Sequence, residues 1–153
     1  MIEAGSTAPD FTLPRDGGTM VTLSAQRPGK VVLYFYPKDN TPGCTTEALD
    51  FSALAADFAA AGVQVFGMSR DSVKKHDNFC AKHGLKVALL SDEDGTTCEA
   101  YGVWVEKQNY GRTYMGIERS TFLIDGAGQI ARVWRKVKVK DHAAEVLAAA
   151  RGL

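Results

Sequence analysis

With 153 residues, 45% of them hydrophobic, the chain has the length of one domain and enough apolar material for a core without disulfide staples. Eighteen basic residues balance eighteen acidic ones, which excludes a chain-wide attraction to nucleic acid or to an anionic membrane. Three cysteines, an odd number, do not describe a secreted disulfide framework, and in a reducing compartment a disulfide is more often transient and catalytic than structural.

From the N-terminus, Met1 to Asp10 shows no basic segment followed by an apolar run, and no later run is long enough for a bilayer. A cytoplasmic protein with no membrane and no nucleic-acid partner is expected. Phe11–Leu13 and Val21–Leu23 flank Asp16-Gly17-Gly18 and predict a small hairpin. Val31–Tyr36, continuously apolar and aromatic, predicts a central strand buried on both faces. Thr41–Ala61 predicts one long helix, with Phe51, Leu54, Ala55 and Phe58 toward the sheet and Gly62 as its stop. Val63–Met68 is the next strand. Ser72 caps a helix that runs to about His83 and ends at Gly84.

A short strand at Val87–Leu90 and a short helix at Thr96–Tyr101 follow. Ser120–Ile124 and Ile130–Trp134 predict a hairpin around Asp125-Gly126-Ala127-Gly128, and Asp141–Ala150 a closing alanine-rich helix. Arg132, Arg135, Lys136, Lys138 and Lys140 read as the solvated face of a strand and its loop. Strands alternating with helices, then an antiparallel hairpin and a last helix, predict one α/β domain over residues 1–153. Its central mixed sheet is flanked by helices and preceded by a hairpin extension, the order of a thioredoxin-like fold.

The chemistry concentrates in Tyr34-Phe35-Tyr36-Pro37-Lys38-Asp39-Asn40-Thr41-Pro42-Gly43-Cys44-Thr45-Thr46-Glu47, where a buried strand ends and a helix begins. Thr41 suits the N-cap and Pro42 the first helical position, so Cys44 falls at the third. Free N–H groups and the positive end of the helix dipole stabilise a thiolate there. The bland alternative is a small buried apolar residue. The pattern Pro-x-x-x-Thr-x-x-Cys, here Pro37, Thr41 and Cys44, resembles the active-site motif of the peroxiredoxins, and the longer string resembles their bacterioferritin-comigratory-protein or peroxiredoxin Q branch. The resemblance continues through Ala8–Leu13, Val65–Ser69, Ser91–Asp94, Tyr101–Val103 and Glu118–Phe122.

The resemblance implies a thiol peroxidase that needs no metal, haem or flavin. Cys44 would be the peroxidatic cysteine, Thr41 would hydrogen-bond thiolate and peroxide, and Pro37 would shield the pocket. The essential arginine maps to Arg119, whose fixed charge and several donors suit a thiolate and a developing oxyanion. Glu47, three residues beyond Cys44, either holds Arg119 or is a first-turn acid favoured by the helix dipole. Many members of the branch carry a resolving thiol five residues after the first, where this chain has Leu49. A second subgroup carries it 36 residues along, where Cys80 stands.

The helix at 72–83 is mostly polar, with Val73, Phe79, Cys80 and Ala81 available to bury, so its local unfolding is expected to be cheap and part of catalysis. The resemblance also implies hydroperoxide substrates, a thioredoxin-type reductant and a monomer. Cys98 is expected to be a buried structural thiol, with an alternative resolving role left open. Trp104 is expected to border the pocket as an apolar wall for alkyl groups.

His76, His83 and His142 show no metal-ligand spacing with the cysteines. Glu47 stands where a Cys-x-x-Cys motif needs its second cysteine, which argues against a thiol–disulfide oxidoreductase. A non-enzymatic redox sensor or holdase stays open at this level.

Overall fold

The computed structural model describes residues 2–153. Its centre is β3 (Lys30–Phe35), buried on both faces as its sequence predicts. Parallel to β3 runs β4 (Val63–Ser69), and parallel to that β5 (Ala88–Ser91). On the other side β8 (Ser120–Ile124) and β9 (Ile130–Trp134) add antiparallel, giving the mixed order β5-β4-β3-β8-β9. Alternation along β3 separates two cores. Val31, Leu33 and Phe35 pack under the N-terminal segment with Cys98, Tyr101 and Phe122. Val32, Tyr34 and Tyr36 pack under the helices with Cys44, Phe51 and Phe79.

The N-terminal hairpin pairs β1 (Thr12–Pro14) with β2 (Met20–Thr22). Its turn is tied to β5 through Asp16, which donates its N–H to the Leu89 carbonyl and accepts the Leu89 N–H. α3 (Val73–His83) starts as predicted, with the Ser72 hydroxyl accepting the Lys75 N–H, and ends at Gly84 in the left-handed region. A short α4 (Thr96–Ala100) and a closing α5 (His142–Arg151) also match. The basic stretch after β9 is largely exposed, but Arg135 is not simply solvated. Its guanidinium lies over the Phe122 ring and donates to the Ile2 carbonyl.

Three expectations need correction. The single helix over 41–61 is two, α1 (Pro42–Ala53) and α2 (Ala55–Ala60). They part at Leu54, whose N–H bonds back three residues to Phe51, a tight turn that no proline or glycine announces. The second concerns 104–117, where the sequence reading placed no element. These residues form a hairpin of β6 (Trp104–Asn109) and β7 (Arg112–Ile117). Its strands are more than half exposed, and Trp104, Val105, Tyr114, Met115 and Ile117 do not alternate regularly with polar residues, so no period-2 pattern marks them. Its turn is also disguised: Tyr110 and Gly111, at φ 51° and 77°, occupy the two left-handed positions where Asn-Gly is the usual signal.

Third, the helix at 73–83 buries His76 completely and leaves Ala81 exposed. A histidine replaces one of the expected apolar anchors because it finds buried hydrogen-bond partners. Among the described residues, no helix is long and apolar enough to cross a membrane.

Candidate active site

The segment between β3 and α1 is built by short-range bonds. Tyr36 donates its N–H to the Met68 carbonyl, extending the β3–β4 ladder to the last residue before Pro37. Asn40 turns the chain at φ 62°, a conformation asparagine tolerates better than most residues. Thr41 then occupies the N-cap and Pro42 the first helical position, so Cys44 sits in the first turn as the sequence predicts. The Thr41 hydroxyl does not cap the helix. It donates to the Lys38 carbonyl at 2.8 Å, which fixes its rotor and turns its oxygen into an acceptor.

Cys44 is buried, and its sulfur accepts a hydrogen bond from Arg119 Nη2 at 3.3 Å. The other arm of the guanidinium, Nη1, donates to Glu47 Oε1 at 2.6 Å. Arg119 enters from the junction of β7 and β8, where its carbonyl accepts the Val137 N–H. Glu47 and Cys44 keep the guanidinium charged against the cost of its burial. Gly43 was overlooked by sequence reasoning. A Cβ there would stand 3.2 Å from Arg119 Nη2, so the missing side chain lets the guanidinium reach the first turn of α1.

Glu47 is nearly fully buried. Burial pushes its carboxyl up to about 7, and Arg119 offsets only part of that cost. Its folded-state value thus lies above the ordinary 4.5. The group stabilises the fold in its protonated form, and that contribution is lost as pH rises from the ordinary value through about 7. Glu47→Gln, which cannot ionise, is therefore expected to gain stability relative to the parent protein across that interval. Urea midpoints measured for both proteins at matched pH values check this, and a gap that stays constant with pH contradicts it.

Pro37 and Trp104 line one cleft of about 520 Å³ together with Lys38, Arg70, Lys107, Tyr114, Met115 and Ile117. Arg70 stacks on the Trp104 ring at 4.5 Å, holding it as a wall of the cleft. The hairpin β6–β7, absent from the sequence reading, thus supplies much of this cleft, which Pro37 borders but which Cys44, Thr41 and Arg119 do not line. Cys80 lies half-buried on α3 with its thiol pushed up to about 12, chiefly by burial and then by Asp16, Asp39 and Asp77. Cys98 is fully buried in the other core, and burial together with Asp92 raises its thiol far above the usual range. That placement fits a structural thiol and sets it on the opposite face of the sheet from Cys44.

A model of the AhpC/TSA family matches residues 4–133. The chain is a peroxiredoxin of that family. It is similar to peroxiredoxin Bcp of Xanthomonas campestris, 53% identical over 97% of this chain and 93% of that protein. Peroxiredoxin Bcp of Bacillus subtilis is also 53% identical, over 95% of this chain and 93% of its own. The fold superimposes on Xanthomonas campestris peroxiredoxin Q with a TM-score of 0.92 and 52% identity, covering 97% of each chain. The Xanthomonas bacterioferritin comigratory protein, likewise at a TM-score of 0.92 and 51% identity, is described through its alkyl peroxide reduction activity. This peroxiredoxin is accordingly a thiol-dependent peroxidase, and its thioredoxin-like α/β fold agrees with the sequence reading.

Proposed function

We propose that Cys44 is the peroxidatic cysteine for hydrogen peroxide and organic hydroperoxides, and that Cys80 resolves it. The observation that carries the reading is the Arg119 guanidinium shared between the Cys44 sulfur at 3.3 Å and the buried Glu47 at 2.6 Å. A fixed charge at that place stabilises the thiolate before reaction and the oxygen that departs during it. The thiolate attacks the terminal peroxide oxygen, the O–O bond breaks, and the alkoxide or hydroxide leaves as alcohol or water after taking a proton. Cys44 becomes a sulfenic acid.

Thr41, its own proton engaged by Lys38, accepts the hydrogen of the incoming hydroperoxide, while Pro37 screens the sulfur from bulk water. The Trp104 wall receives the alkyl group. Condensation with Cys80 yields a disulfide and water, and a thioredoxin-type dithiol restores both thiols by exchange. Cysteines with the same sequence separation as Cys44 and Cys80 are the ones replaced by serine in two structures of Xanthomonas campestris peroxiredoxin Q. We read residues 1–153 as one catalytic unit that acts as a cytoplasmic monomer.

The test is one equivalent of hydrogen peroxide added to fully reduced protein, followed by peptide mapping. A Cys44–Cys80 link is expected, replaced in Cys80→Ser by a sulfenic acid at Cys44. A link from Cys44 to Cys98, or a Cys44 sulfenic acid that persists beside a free Cys80, overturns the resolving role.

A further inference from the structure

Asp39 belongs to the turn that leads into Cys44, and His76 lies one helical turn before Cys80 on α3. A buried polar chain joins them. His76 Nδ1 meets Asp39 Oδ2 at 2.7 Å, and His76 Nε2 meets the Leu90 carbonyl at 2.8 Å. A carbonyl only accepts, so Nε2 carries a proton. A second proton on Nδ1 makes the contact with Asp39 an ion pair. The Tyr36 hydroxyl donates to Asp39 Oδ1 at 2.6 Å, and the Asp39 N–H donates to Asp71 Oδ2 at 2.9 Å. Asp39, Asp71 and His76 stand close enough to suggest a ligand set, but both carboxylate oxygens and both ring nitrogens of the Asp39–His76 pair already have partners within the protein.

This pair links the peroxidatic segment to the helix that carries the resolving thiol. It also bears on that thiol's reactivity. While α3 is docked, burial and the carboxylates of Asp16, Asp39 and Asp77 hold Cys80 as a neutral thiol at physiological pH. Undocking exposes it to water and takes it away from Asp39.

We propose that the buried Asp39–His76 pair is a latch that holds α3 against the Cys44 segment and sets how often Cys80 is released as a nucleophile, an inference that rests on Cys80 being the resolving cysteine. On release Cys80 gives its proton to solvent and its thiolate attacks the sulfur of the Cys44 sulfenic acid. The S–S bond forms, the S–O bond breaks, and hydroxide leaves and takes up a proton as water. His76 is a positioning residue in this scheme.

The latch is sensitive to pH. Burial alone would push His76 down, but the hydrogen bond and charge of Asp39, the Leu90 carbonyl and Asp71 together raise it above its ordinary value. The groups that face it are Asp39 from the turn, Asp71 after β4, the Tyr36 hydroxyl at 3.5 Å and the Leu90 carbonyl of β5. A histidine raised in this way holds the latch fully below its ordinary value and releases it as pH rises through its folded-state value.

The test is hydrogen exchange of residues 73–83 in the reduced protein, expressed as protection factors so that base-catalysed exchange divides out. In the parent protein, protection is expected to fall with rising pH in step with the His76 ring titration followed by NMR. His76→Gln and Asp39→Asn are expected to lower protection at neutral pH roughly tenfold or more and to remove the pH dependence. In single turnovers the same variants should form the Cys44–Cys80 disulfide faster by a similar factor and accumulate less Cys44 sulfinic acid at high peroxide. Protection that is unchanged in both variants, or a parent profile that ignores His76, overturns the latch. Failure of the parent protein to form any Cys80 disulfide overturns the resolving role instead, while the exchange profile still decides whether the pair holds α3.

Discussion

Cys44→Ser is expected to lower the rate of hydroperoxide reduction by roughly four orders of magnitude or more while leaving the fold in place. The substitution exchanges sulfur for oxygen in a buried site at nearly constant shape. A serine hydroxyl is not ionised at neutral pH, and its oxygen has no accessible higher oxidation state corresponding to the sulfenic acid. Both losses are chemical, so neither the helix dipole nor Arg119 compensates for them. Stopped-flow consumption of an alkyl hydroperoxide under excess dithiol measures the effect, and an unchanged urea midpoint certifies the fold. Residual turnover within a hundredfold of the parent protein would assign the peroxide reaction to Cys80 or Cys98.

The parts of this site that were legible in the sequence are those fixed by local chain chemistry. The buried run at β3, Thr41 and Pro42 at the helix start and Ser72 before α3 each specify a boundary within a few residues, and together they place Cys44 in a first turn. Arg119 is different, since nothing local points it at Cys44. Its assignment came from resemblance, and the geometry follows from β3 pairing with β8. What the sequence hid has physical reasons as well. The apolar residues of the β6–β7 hairpin do not alternate along its strands, and it turns on Tyr110-Gly111, so neither periodicity nor turn chemistry marked it. The burial of His76 depends on Asp39 and on the Leu90 carbonyl, partners remote in the chain. A polar residue on a polar helix gives no sign of them.

Arg119→Met is expected to reduce the second-order rate with hydroperoxide by roughly 10²–10³, the usual cost of removing a preorganised donor from developing negative charge. The same change destabilises the protein through another route. Glu47 loses the Nη1 donor at 2.6 Å, and its second oxygen, Oε2, is already buried without a hydrogen-bond partner. A buried carboxylate stripped of its ion-pair partner typically costs about 3–5 kcal/mol, which the group escapes in part by taking up a proton.

The two effects separate in the double variant Arg119→Met, Glu47→Gln. Neutral glutamine removes the stranded charge, so the urea midpoint should recover toward the parent value. The rate should not recover, because the sulfur at 3.3 Å still lacks the guanidinium. A double variant that regains both stability and rate would mean that Arg119 serves only to neutralise Glu47. A rate that stays low after stability returns places the arginine charge in the reaction itself, with Glu47 holding it there.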